Sequence, residues 1–320
     1  MIKVFIPGPY SIPIWRQFPD SKRYVWKNCE FYFEEPKEYD YLVVWGLEKE
    51  LSTLCPKEKR LCFLGEPPYV KRCQPKMIRR GEMQKLMPTL AWMAGCKIGT
   101  NVSMDDFGTY MSYQDFKYYE PKEQRLNKVC FITSNKKFTR GHRDRVNFAN
   151  KILKNHIDLI DIYGNGYNPI DDKLEVLSKY KYVLAIENGL CMDYWTEKLA
   201  DSYLAGCHPI YYGCPNISDY FEQDSMTKVN IRDYNGTINT IKDIIEREVF
   251  STSREAVLTA RNQVLDEYNM FNLIANEVSK IDSYNYLIEK MSLPEIIYPM
   301  KYNLKDLVLY KLARLFNIVL

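Results

Sequence analysis

The chain has 320 residues, long enough for two cores of ordinary domain size. It is 46% hydrophobic and 27% charged with a net charge of +3, a composition that suits globular domains and argues against a nucleic-acid partner. Its nine cysteines are scattered without a C-x-x-C pair and its three histidines lie far apart, which speaks against a disulfide framework or structural zinc and fits a reducing cytoplasm.

Residues 2–6, 41–45 and 60–64 read as buried strands, and 79–94 as a helix despite Gly81 and Pro88. A strand begins at once, with no basic and apolar leader ahead of it, so no signal peptide is expected. No apolar run reaches the length of about 18 residues that spans a bilayer. Within Phe63-Leu-Gly-Glu-Pro-Pro-Tyr69, Glu66 follows a strand, and Pro67 holds it extended. Such a carboxylate can face a cleft as a base, or it can be an ordinary loop residue. Asp105 and Asp106 are adjacent, not spaced as D-x-D, so they do not form that metal motif.

Residues 120–127 are charged, contain Pro121, and read as a link between halves. Beyond them the α/β rhythm is regular. Strands are expected at 128–133, 159–163, 182–186, 208–212 and 228–231. Helices are expected at 141–154, 171–178, 194–205, 238–248 and 251–268. This alternation predicts a parallel sheet covered on both faces, which binds ligands beyond the carboxyl ends of its strands. Function is therefore expected just after Thr133, Tyr163, Ile186 and Tyr212.

Two of those places carry charge. Arg140, Arg143 and Arg145 gather at a helix start, a positive site suited to phosphate or simply a solvated basic turn. After the 182–186 strand come Glu187-Asn188, a loop, and Thr196-Glu197-Lys198 opening a helix. Thr196 can cap that helix, and Glu197 suits its first turn. Lys198 does not, because a cation opposes the helix dipole there. An anionic ligand would reverse the sign; an exposed Glu-Lys pair is the plain alternative. At the chain end, Leu304, Leu307, Leu315 and Val319 share a helical stripe beside Lys301, Lys305 and Arg314. That tail can lie on an anionic membrane surface or pack back on the N-terminal domain.

The run Glu187-Asn188, Asp193-Tyr194-Trp195-Thr196-Glu197-Lys198, Leu204-Ala205 and Pro209-Ile210-Tyr211-Tyr212-Gly213-Cys214-Pro215 resembles the signature of glycosyltransferase family 10, the α-1,3/4-fucosyltransferases. Upstream, Ser134-Asn135, Arg145-Val-Asn-Phe148 and Asp161-Ile-Tyr-Gly164 follow the family's order, with Arg143 as the alternative arginine. Tyr182 stands where the pattern has Phe, and Glu66-Pro67-Pro68 where it has E-S-P. The resemblance implies a GT-B architecture of two Rossmann-like domains facing a cleft: 1–122 for the acceptor, 123–275 for the nucleotide sugar, and C-terminal helices at 276–320. It implies inverting transfer of fucose from GDP-fucose to a glycan hydroxyl, as in bacterial surface glycan or lipopolysaccharide synthesis, without an essential metal. Glu66 would be the base, Glu197 would take the ribose and Lys198 the diphosphate, with Arg143, Arg145, Glu187, Asn188 and Tyr194 around the donor. The expected place is the cytoplasm, including the inner face of the plasma membrane. Alternatives are another donor sugar, or a silent glycan- or nucleotide-binding module.

Overall fold

The computed structural model describes residues 1–7, 17–20, 22–44, 50–63, 84–86, 111–137, 139–285 and 293–297. Glu66 and the tail at 300–320 lie outside these residues. Contacts separate two units: the described residues up to 86 together with those from 269 onward, and the described residues between them.

The first unit has strands β1 (Ile2–Phe5), β2 (Val25–Trp26), β3 (Cys29–Tyr32), β4 (Tyr41–Val44), β5 (Leu51–Thr53), β6 (Arg60–Phe63) and β7 (Gln84–Leu86). The main sheet runs β2-β3-β1-β4-β6-β7, parallel throughout except for the β2–β3 hairpin. Val4, Phe5, Leu42, Val43 and Leu61 are all buried, the near-continuous apolar pattern of a parallel sheet. Residues 84–86, expected within a helix, instead pair in parallel with β6. Gly81 and Pro88 bracket too short an interval for a helix to repay its nucleation, whereas a short strand needs only an open sheet edge.

Both expected domain boundaries fall earlier in the structure. The helix Met270–Asn285 belongs with the N-terminal strands: Trp26 Nε1 donates to Asn272 Oδ1 at 3.0 Å, and Phe271 stacks on Phe18 with centroids 3.8 Å apart. The strand Glu295–Ile297 pairs antiparallel with β5, and buried Arg60 binds Glu295 at 2.7 Å. Helix α1 (Tyr113–Tyr118), expected in the first domain, belongs to the second unit. Tyr113 donates to Asp266 at 2.7 Å, and Arg261 donates to the Phe116 and Tyr119 carbonyls.

The second unit holds β8 (Leu126–Ile132), α2 (Arg140–Asn155), β9 (Ile160–Tyr163), α3 (Lys173–Leu177), β10 (Tyr180–Ile186), α4 (Glu197–Leu204), β11 (His208–Tyr212), β12 (Thr227–Lys228), α5 (Tyr234–Glu246), α6 (Val249–Thr252) and α7 (Arg254–Asp266). Its strands lie in the order β9-β8-β10-β11-β12, all parallel. Taken along the chain, this is the doubly wound order 2-1-3-4-5, whose winding reverses between the first and third strands. The parallel strands of the first unit, β3-β1-β4-β6-β7, repeat the same order. The fold class is therefore α/β, with a Rossmann-like sheet in each unit.

Each face of the second sheet carries its own core. Leu184, Ile186 and Ile210 meet Phe148 and Ile152 of α2 and Ile241 of α5. Ala185 and Tyr211 pack with Leu199 and Tyr203 of α4 and Val257 and Val264 of α7. No described helix is long and apolar enough to cross a membrane.

His208 ties the sheet to its cover. Buried on β11, it bonds Ser253 Oγ through Nδ1 and Thr227 Oγ1 through Nε2, both at 2.8 Å. Burial lowers its pKa to about 4. As pH falls below about 6.5 the unfolded chain takes up a proton that the folded chain refuses until near 4, so stability drops across that window by up to about 3 kcal/mol. Urea midpoints measured from pH 7 to 4 should show this decline, and His208→Asn should flatten its share of the slope.

Candidate functional site

The switch point lies between β8 and β10, and the segments leaving their carboxyl ends converge there. After β8 the chain turns into α2, capped by Thr139, whose Oγ1 accepts from the His142 amide at 3.2 Å. A Cβ on Gly141 would stand 1.9 Å from the Asn188 carbonyl oxygen. Glycine there lets the first turn of α2 lie directly against the backbone that follows β10. One turn on, Arg145 Nη1 donates to Asn188 Oδ1 at 2.6 Å. Arg145 is 5% exposed, and its Nε has no hydrogen-bond partner. Burial lowers its pKa, opposed by Glu187 and Glu197. Arg143 is half-buried; its amide donates to the Thr139 carbonyl at 3.1 Å, and among the described residues its guanidinium has no hydrogen-bond or ion-pair partner. The structure thus separates the two arginines: Arg145 is built into the site, and Arg143 stands at its edge.

From β10 comes Glu187, expected at the ligand but placed behind the site. Its side chain is fully buried, and its two oxygens accept from Thr196 N at 2.8 Å and Thr196 Oγ1 at 2.7 Å. Burial raises its pKa, and Lys198 opposes that rise. Thr196 caps α4, and Lys198 Nζ donates to Thr196 Oγ1 at 3.1 Å and to Glu197 Oε1 at 2.9 Å, with Glu187 Oε2 3.7 Å away. The cation that opposed the helix dipole is therefore held by two carboxylates. They outweigh its burial and keep Lys198 above its ordinary pKa. Burial works to raise Glu197, but Lys198 and Lys173 bring it down to about 2.

The loop between Asn188 and Thr196 is stapled in place. Asp193, in the left-handed region with φ 59°, accepts from Asn216 Nδ2 at 2.7 Å and from Tyr220 OH at 2.8 Å. Tyr194 beside it is buried. Gly213 leaves room for this arrangement, since a Cβ there would meet Glu187 Cγ at 2.5 Å and the Tyr211 hydroxyl at 2.2 Å. The spacing of the motif thus has a physical reason: Glu187, Gly213 and the α4 cap share one small volume.

Sequence reasoning missed two neighbours. His142 Nδ1 lies 2.6 Å from Thr139 Oγ1, and burial with Arg145 and Lys198 lowers its pKa to about 4, leaving the ring neutral at pH 7. Its signal was a histidine between the arginines of a helix start. Tyr167 follows the Gly-Asn-Gly turn after β9; burial raises its phenol, and Arg145 opposes that rise. Its signal was an aromatic just past a predicted strand end. At the switch point, then, are three side-chain cations, two helix N-termini, a capped carboxylate pair and two phenols, a set suited to a phosphorylated ligand carrying hydroxyls.

Residues 122–246 match the model of the glycosyltransferase family 10 (fucosyltransferase) C-terminal region. The α-(1,3)-fucosyltransferase B of Drosophila melanogaster is 30% identical over 129 residues, 38% of this chain and 28% of that protein. The α-(1,3)-fucosyltransferase FucT of Helicobacter pylori is 30% identical over 145 residues, 45% of this chain and 27% of that protein. The chain thus covers less than a third of the length of either relative. A solved α1,3-fucosyltransferase structure aligns with a TM-score of 0.47 at 15% identity, over 84% of this chain and 91% of its own. The likeness to glycosyltransferase family 10 is thus carried by residues 122–246 of the 320.

Proposed function

We propose that this chain is a glycosyltransferase that moves fucose from GDP-fucose to a hydroxyl of a glycan, with inversion at the anomeric carbon. The observation that carries the reading is the paired lock at the switch point, Arg145 on Asn188 and Glu187 on Thr196, which fixes two helix N-termini beside Lys198. In this mechanism Glu197 accepts the ribose hydroxyls. Lys198, Arg143 and the first turn of α2 hold the diphosphate. Arg145 orients Asn188 and adds its charge from behind. The acceptor oxygen attacks the anomeric carbon as the bond from that carbon to the phosphate oxygen breaks. Glu66 takes the acceptor's proton, and GDP departs with the bonding pair. Negative charge growing on the leaving phosphate meets fixed cations and amide dipoles, which stabilise it more in the transition state than in the ground state. Side chains supply the neutralisation, so transfer is expected to survive EDTA.

The test is a thermal-shift series with GDP-, UDP- and CMP-sugars followed by transfer assays. GDP-fucose at a hundred times its Kd should stabilise the chain by about 2.7 kcal/mol. If every sugar nucleotide leaves the transition unmoved, the proposed activity falls. A larger shift with a UDP-sugar would keep the enzyme and change the donor.

A further inference from the structure

Helices α3 and α4 meet over an ion pair that takes no direct part in the proposed chemistry. Lys173 Nζ lies 2.8 Å from Asp201 Oδ2, and the two side chains are 14% and 4% exposed. Asp201 sits one turn beyond Glu197 on α4, so two carboxylates share a helix face at the spacing where like charges repel. The other oxygen, Asp201 Oδ1, is buried without a hydrogen-bond partner. An ion pair that leaves an acceptor orphaned is a poor source of stability, because apolar residues of similar volume usually do as well or better.

What the pair does provide is charge order. The sequence Glu187, Lys198, Glu197, Lys173, Asp201 alternates in sign, with Lys198 Nζ 2.9 Å from Glu197 and 3.7 Å from Glu187. Arg145 is the further cation acting on Glu197. Lys198 thus serves two carboxylates, and in the proposed chemistry it must also serve a diphosphate. Were it the sole cation acting on Glu197, its turn toward phosphate would leave a partly buried carboxylate uncompensated.

We propose that Lys173 and Asp201 are positioning residues: anchored by Asp201, Lys173 gives Glu197 a second cation, so that Lys198 can engage the diphosphate while Glu197 stays ionised and set to accept the ribose hydroxyls. The proposal rests on the nucleotide reading of this site. It agrees with the electrostatics, in which Lys173 is second to Lys198 in holding Glu197 low. Burial pushes Asp201 up to about 6 against the pull of Lys173, so the anchor is itself only moderately acidic.

The experiment is calorimetric titration of the full chain with GDP and with 2′,3′-dideoxy-GDP, which lacks the hydroxyls that Glu197 would accept. Lys173→Met should bind GDP about tenfold more weakly, bind the dideoxy nucleotide within about twofold of wild type, and be rescued by Lys173→Arg. Equal loss for both nucleotides would make the pair structural and overturn the proposal. GDP binding unchanged in Lys173→Met, with wild type binding normally, removes the proposal and leaves the nucleotide reading standing. A wild-type chain that binds neither nucleotide removes both. If Lys173→Met does not fold, Asp201→Asn, which preserves shape, must weaken GDP more than the dideoxy nucleotide; failure to discriminate overturns the proposal.

Discussion

Alanine at Glu187 is expected to lower the free energy of unfolding by about 3–5 kcal/mol and to remove nucleotide binding at the same time. The carboxylate is fully buried and satisfies both the amide and the hydroxyl of Thr196, the residue that caps α4. Without it a buried N–H loses its acceptor, Lys198 loses one of its two carboxylates, and a cavity opens against Gly213. Glu187→Gln keeps the volume and one acceptor, so its loss should be smaller. Urea denaturation with calorimetric GDP titration measures both effects. A change below about 1 kcal/mol for the alanine variant would contradict the anchoring role.

The second large effect belongs to Glu66. As the proposed base, Glu66→Gln should lower kcat about 10²–10⁴-fold. The affinity for GDP should be unchanged, because every residue proposed to hold the nucleotide lies in the second unit. Single-turnover transfer with GDP-fucose gives the first quantity and calorimetry the second. Wild-type turnover in the glutamine variant would exclude Glu66 as the base. No measurable transfer in either chain, with GDP bound by both, would favour the silent binding module.

Much of the second unit was legible because burial on both sheet faces forces short, nearly unbroken apolar runs. The strand at 208–212 matches His208–Tyr212, and the helix at 141–154 matches Arg140–Asn155 to within a residue at each end. The helix expected at 251–268 breaks at Ser253, because its apolar period runs on through a turn that only tertiary packing distinguishes. The β2–β3 hairpin was not legible: Lys27 takes the left-handed conformation at φ 53° without a glycine to announce it, and Glu30 interrupts the apolar run. The helix Met270–Asn285 showed no sign of its partner, since its contacts with Trp26 and Phe18 span more than 240 residues of chain. At the site, the motif brought Asn188, Tyr194, Glu197 and Lys198 to attention but did not separate residues facing a ligand from those behind it. Glu187 looked like a ligand contact because its type and position suit one; only its burial and its two bonds to Thr196 reveal the anchor.

The return of Met270–Asn285 and Glu295–Ile297 to the N-terminal strands also sets an order of events on the ribosome. The sheet synthesised first cannot acquire its final cover until translation has passed residue 285, whereas the later-made sheet is continuous in sequence and can mature as soon as it emerges. Until then Phe18, Trp26 and Phe31 have no Phe271 or Asn272 to shield them, and the nascent N-terminal segment is the natural client for a chaperone. A polypeptide cut short after residue 268 would keep that apolar surface bare and should aggregate even though its C-terminal half had folded.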